Sequence, residues 1–258
     1  MIPANVIKPL RNVVTLAIDD RDSRRPPLSR SDVPQPVDPI EFCVIKRSSI
    51  SIYTLKDRLL FVKDIPFSGA TLARRTGRHL CVADQENYNM IDLEAASLFP
   101  LLPLSQVPDS GPIKPSITVI SESEFLIVSW TGASTLGVFI TGDGDPVRGT
   151  LEWSSLPISI SFDYPYAMTL LPNETVEIHS IETQALVQVV KINSIAHSPT
   201  NPGLSALIAC ANGFFVPSTQ RSEKLRPTSV RLIRPKTQVK SKERAETETL
   251  DKEDLLQI

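Results

Sequence analysis

With 258 residues and 41% hydrophobic content, the chain can bury a sizeable core, which excludes a wholly disordered protein. Its formal net charge of -2 provides no global basic field, so neither nucleic-acid binding nor attraction to an anionic membrane gains support from bulk charge. Twenty-two prolines against ten glycines suit a fold of many turns rather than long helices, and three widely spaced cysteines with no CxxC exclude a disulfide framework and a zinc knuckle.

Residues 1–10 form an N-terminal segment whose apolar character is broken by Pro3, Lys8 and Pro9, unlike a signal peptide. Nowhere is an uninterrupted apolar run long enough to span a bilayer, so a cytosolic protein without direct membrane insertion is expected. A strand at 13–18 ends on Asp19 and Asp20 and stands alone. The proline-rich stretch 21–39 reads as an exposed loop inserted between strands.

From Glu41 onward, short apolar runs recur with turn residues between them. The first group lies at 42–45, 49–54 and 59–63. A run at 70–73 follows it, the next copy begins at Arg78 with 80–83, 88–92 and 97–101, and another has 117–120, 125–128, 136–140 and 149–153. The clearest copy is 158–162, 167–171, 175–179 and 186–190. Its third run alternates apolar and polar residues and so places Val176 and Ile178 on one face of a sheet. A last, incomplete copy begins at 207–210 and 213–216.

Second strands aligned at Phe42, Leu80, Phe125, Ala167 and Leu207 are separated by 38, 45, 42 and 40 residues. This is about the 40–45 residues of a four-stranded propeller blade. Short strands at regular spacing also fit a β-sandwich or barrel, but here the four-strand unit repeats as a unit. The expected fold is all-β: a β-propeller of four-stranded antiparallel blades over 11–220, with about four complete blades plus partial ones. No Trp-Asp or Gly-His signature makes it an ordinary WD-repeat chain. Residues 221–258 read as a charged, disordered linker, within which a helix could begin near Thr249.

The catalytic inventory is empty: catalytic, cofactor-binding and metal residues are all assigned as none. No G-x-S-x-G, P-loop or dinucleotide fingerprint occurs. His79, His179 and His197 share no ligand spacing, and Cys43 and Cys81 fall inside apolar strands as expected of buried core thiols. Residues 141–146 hold alternating aspartates like the opening of a calcium loop but lack the later ligands, so a hairpin turn explains them better. Asn173-Glu174-Thr175 has the form of a glycosylation sequon and reads as a turn. The basic run Arg74-Arg75-Thr76-Gly77-Arg78 reads as a solvated loop, with contact to an acidic partner surface as the alternative. A propeller enzyme is the third functional class, but the best innermost strands offer only Thr15, Thr118, Ser159 and Ser161 as polar groups.

Several phrases carry a family resemblance: Phe42-Cys43-Val44-Ile45-Lys46-Arg47 with Ser51-Ile52-Tyr53, 115–120 with Glu124-Phe125-Leu126-Ile127, Leu136-Gly137-Val138-Phe139, 144–153, and Tyr164-Pro165-Tyr166 leading to Val176-Glu177-Ile178-His179-Ser180. From about Arg11 to Pro217 the chain resembles the citron-homology (CNH) propeller of endosomal and vacuolar tethering subunits. Within that family it is most similar to the CORVET branch.

The resemblance implies a seven-bladed propeller followed in the family by an α-solenoid; with about four complete copies, this chain is expected to be either a fragment of that propeller or a smaller closed ring. It implies a non-enzymatic role in endosomal vesicle tethering and fusion, peripheral on an endosome or vacuole membrane. The implied partners are a Rab GTPase in its GTP form and the class C core of the tethering complex. Alternatives are the HOPS-type paralogue at the vacuole, or a citron-homology module of a kinase or Rho exchange factor.

Overall fold

A computed structural model describes residues 10–23 and 38–191, and the backbone of three further strands within 208–230. Four sheets of four strands are present, each a simple antiparallel meander, followed by a three-stranded sheet. The first comprises β1 (Val13–Ile18), β2 (Ile40–Lys46), β3 (Ser49–Leu55) and β4 (Leu59–Pro66). The second comprises β5 (Leu72–Thr76), β6 (His79–Ala83), β7 (Asn87–Asp92) and β8 (Ser97–Pro103). The third runs through β9 (Ile117–Ser121), β10 (Glu124–Trp130), β11 (Thr135–Thr141) and β12 (Leu151–Trp153). The fourth runs through β13 (Ser159–Asp163), β14 (Tyr166–Leu170), β15 (Thr175–Ser180) and β16 (Leu186–Lys191). The last holds β17 (Ile208–Cys210), β18 (Gly213–Val216) and β19 (Thr228–Val230).

The first strands of successive sheets lie against one another: β1 meets β5, β5 meets β9, β9 meets β13, and β13 meets β17. Asp19, just past β1, and Arg75 in β5 form a parallel bridge across the first of these junctions. Sheets whose leading strands meet in sequence while their other strands fan outward are the blades of a β-propeller.

Apolar clusters fill the seams between blades. The first joins Cys43, Ile45, Ile50 and Ile52 to Ala73, Leu80 and Val82; the second joins Tyr88 and Met90 to Phe125, Ile127 and Ile140. The third joins Leu126, Phe139 and Trp153 to Ala167, Leu171 and Ile181. Strand β10 explains why runs such as 125–128 are apolar throughout. Phe125 and Ile127 enter the second seam, whereas Leu126 and Val128 enter the third, because successive side chains point to opposite faces.

The structure corrects four expectations. Strand β1 does not stand alone: it pairs with β2, Leu16 opposite Val44 and Ile18 opposite Phe42, completing the first blade. Only the long insertion between the two strands separates them in sequence, and its first residues form a short helix, α1 (Asp20–Ser23). Second, Arg74, Arg75 and Thr76 belong to β5 and pair with Cys81, Leu80 and His79, so of the basic run only Gly77 and Arg78 lie in a turn. Third, β17 lies against β13 in the manner of a leading strand, whereas the repeat alignment placed Leu207 at a second strand. Fourth, Thr228–Val230 pairs with β18 inside the stretch read as a linker; the remainder of 221–258, including the helix start at Thr249, lies outside the described residues.

Candidate interaction surfaces

In the first seam, charged groups gather at the end of β1, the start of β2 and the end of β5. Asp19 accepts hydrogen bonds from the Gly77 N–H at 3.1 Å and from the guanidinium of Arg21 at 2.7 Å. Burial raises the Asp19 carboxyl, but these donors outweigh it and hold the group below the usual carboxylate range. Arg75, buried across the same seam, donates to Glu41 at 2.6 Å and to the Gly77 carbonyl at 2.9 Å. Its other nitrogen lies 3.9 Å from the Cys43 sulfur. Burial pushes the Cys43 thiol up to about 11, with Arg75 opposing, so at neutral pH it is an inert thiol. Cys81 is wholly buried and its thiol is pushed further up by burial alone. Cys210 and His197 have no described side chains.

A second charged pair stands in the third blade, where Arg148 grips Glu124 with two nitrogens at 2.5 and 2.8 Å. Glu124 precedes Phe125 at the start of β10, just as Glu41 precedes Phe42 in β2. The repetition of Glu-Phe at one place in two copies is the signal by which these pairs could have been found in the sequence. Arg148 also stacks 5.8 Å over the Phe139 ring and reaches the Ile181 carbonyl of the next blade at 3.5 Å. The hydrogen bond to Glu124 raises its affinity for its proton.

The residues 141–146 form a turn. Thr141 accepts the N–H groups of Asp143 and Asp145 on its hydroxyl, the Val147 N–H donates to the Phe139 carbonyl, and Gly144 takes a φ of +90°. Gly142 brings this turn close to the second blade, since a Cβ there would meet the His79 ring at 2.2 Å. Asn173 caps its own turn by accepting the Thr175 N–H at 3.2 Å. Among the described residues, no three His, Cys, Asp or Glu side chains gather as metal ligands. No described helix is long and apolar enough to cross a membrane.

Two open surfaces stand out among the described residues. A cleft of about 480 Å³ lies beside the third blade's approach loop, lined by Glu86, Asn87, Leu104, Gln106, Asp109 and Ile113, among others. The other is the face of the first blade turned away from the second. Ile18, Phe42, Tyr53 and Phe61 form one cross-strand row there, with Phe42 and Tyr53 stacked at 6.0 Å and Phe61 edge-on at 5.7 Å. Leu16, Val44, Ser51 and Asp64 form the adjacent row, closed by a hydrogen bond from Ser51 to Asp64. Ile18 and Phe61 are 50% and 57% exposed, so much of this row is open apolar surface of the kind that protein contacts cover.

Comparison with known proteins identifies what this architecture is similar to. Residues 38–194 match the family described as the VPS3 N-terminal domain. Vacuolar protein sorting-associated protein 3 of Schizosaccharomyces pombe is 23% identical over 141 residues, 53% of this chain and 15% of the relative. Its namesake in Saccharomyces cerevisiae is 25% identical over 198 residues, 74% of this chain and 19% of the relative. The chain therefore spans under a fifth of the length of these relatives. Among solved structures, the AfRom2 CNH domain is similar at 22% identity and a TM-score of 0.41, over 60% of this chain and 52% of that one.

Proposed function

Because the chain belongs to the VPS3 N-terminal domain family, we propose that it acts as a protein-interaction platform in a vacuolar or endosomal tethering complex, without an enzymatic role of its own. The observation that carries this reading is the family match across 38–194, which covers the second, third and fourth blades and most of the first. Its polar clusters support the same reading. The Arg75–Glu41 and Arg148–Glu124 pairs are spent holding blades and turns together, and Cys43 is held as a neutral thiol.

In this proposal the partners are a Rab GTPase in its GTP form and the class C core, and the complex is CORVET-like, peripheral on the endosome. A complete seven-bladed ring is the architecture proposed for the whole propeller. The family match favours this reading over a citron-homology module of a kinase or Rho exchange factor.

The test is capture of Rab GTPases by a full-length protein containing this chain, with each GTPase loaded with GTP or GDP. GTP-selective capture of an early-endosomal Rab is expected. Selective capture of a vacuolar Rab would instead identify a HOPS-type subunit, and equal or absent binding to both nucleotide forms would overturn the Rab-dependent role.

A further inference from the structure

The seam between the third and fourth blades contains a polar problem that its protein atoms do not solve. Thr135 Oγ1, Trp153 Nε1, Thr169 Oγ1 and His179 Nδ1 are all buried and have no protein hydrogen-bond partner. They are not scattered. Thr135 and Trp153 are direct cross-strand neighbours on β11 and β12. On the facing blade, Thr169 pairs with Glu177 and His179 pairs with Ala167, and Glu177 and His179 alternate along β15 to share a face. The two surfaces meet where the Trp153 and His179 rings stand edge-to-face, 5.8 Å apart at an interplanar angle of 81°.

Buried polar atoms in folded proteins almost always have a partner, and the groups that lack one are commonly served by an internal water. Two of these orphans sit on each of two facing sheets, and the Trp153 and His179 rings that carry two of them are in contact, so one explanation can serve all four. We propose that this seam is a buried hydration site, in which ordered water bridges Trp153 Nε1 and Thr135 of the third blade to Thr169 and His179 Nδ1 of the fourth.

The donor and acceptor inventory fits water and little else. The indole N–H only donates, each threonine hydroxyl donates or accepts, and a neutral imidazole nitrogen accepts when its proton is on the other nitrogen. Water can accept from the indole and donate to the imidazole at once. A metal cation gains no ligand from the indole N–H, which can only donate. An anion is disfavoured by Glu177, whose carboxylate lies 4.0 Å from His179 Nε2 on the same face. His179 itself is kept towards its neutral form by burial.

Two measurements on the whole chain test the site. In the unmodified protein, the Trp153 indole N–H should show a nuclear Overhauser effect to a long-lived water, and Thr169→Val should weaken it. The sign of the stability change provides the second measurement. If water bridges these groups, Thr135→Val and Thr169→Val strand its hydrogen bonds, and each lowers the denaturation midpoint. If the hydroxyls are dry and unpaired, the apolar isosteres relieve them and the midpoint rises. The absence of a water contact at Trp153, or a raised midpoint in both variants, would overturn the proposal.

Discussion

The second and third seams each bury a large aromatic residue with a polar handle, and they treat that handle in opposite ways. In the seam between the second and third blades, the Tyr88 hydroxyl donates to the Val128 carbonyl at 2.8 Å and accepts the Ser116 N–H at 3.0 Å. Its ring lies in a cluster with Met90, Phe125 and Ile127, and burial pushes the phenol well above its usual range. In the next seam the Trp153 ring is equally buried among Leu126, Phe139 and Ala167, but its N–H finds no protein acceptor. The difference shows that two seams of one array can each bury an aromatic ring and still differ in how its polar atom is served. Each seam receives an aromatic ring of suitable volume, while the partner of its polar atom depends on which local strand or loop is at hand.

Removing Tyr88 is the strongest way to break this contrast. Tyr88→Ala should destabilise the protein by about 3–5 kcal/mol, the usual loss when a buried aromatic is deleted. Tyr88→Phe keeps the ring and strands the Val128 carbonyl and Ser116 N–H, for about 1–3 kcal/mol. Chemical denaturation monitored by circular dichroism measures both. If Tyr88→Phe leaves the midpoint unchanged, the second seam is not held by its hydroxyl, and the contrast with Trp153 disappears.

The third seam is tested from the side of its ring. Gly137 lies opposite Leu151 on β11 and β12, and a Cβ there would meet the Trp153 ring at 2.8 Å and Leu126 at 3.1 Å. Both neighbours are buried. Gly137→Ala should therefore overpack the seam and destabilise it by about 1–3 kcal/mol, with a changed near-ultraviolet signal from Trp153. A neutral effect would mean that the indole has room to move, as it would if the seam were loosely packed.

Much of this architecture was legible beforehand, for a physical reason. Apolar runs of strand length separated by Pro, Asn and Gly report both the strands and their period. The fourth blade appears in the structure within a residue or two of its expected runs at 158–162, 167–171, 175–179 and 186–190. Val176 and Ile178 are both buried on one face, as their alternation requires. The first blade was misread because β1 reaches β2 across an insertion, and a local pattern carries no record of a pairing made over that distance. The run at 74–78 was misread because charge suggests solvent, whereas Arg75 is buried by pairing with a carboxylate 34 residues away. The seam orphans were invisible because Trp153 and His179 meet only when two blades face each other, and no spacing along the chain encodes that meeting.

The smallest expected effect separates the two seams by pH. Burial lowers the affinity of His179 for a proton from its ordinary value of 6.5, so the folded protein resists protonation that the unfolded chain accepts. As pH falls through about 6.5, the unfolded state binds more protons and stability declines, by no more than about 1.4 kcal/mol per pH unit from this one group. Glu177 works in the opposite direction, because burial raises its carboxyl above 4.5 and the folded state then takes that proton first. The loss therefore begins as pH falls through about 6.5 and is opposed once Glu177 takes its proton. Tyr88 carries no ionisation in this range, so its hydroxyl contributes nothing to it. His179→Gln, which keeps a polar side chain but cannot titrate, should narrow the gap between denaturation midpoints measured at about pH 7.5 and about pH 5.5. If the gap is the same in both proteins, the acid sensitivity arises outside the third seam, and the two seams respond to pH alike.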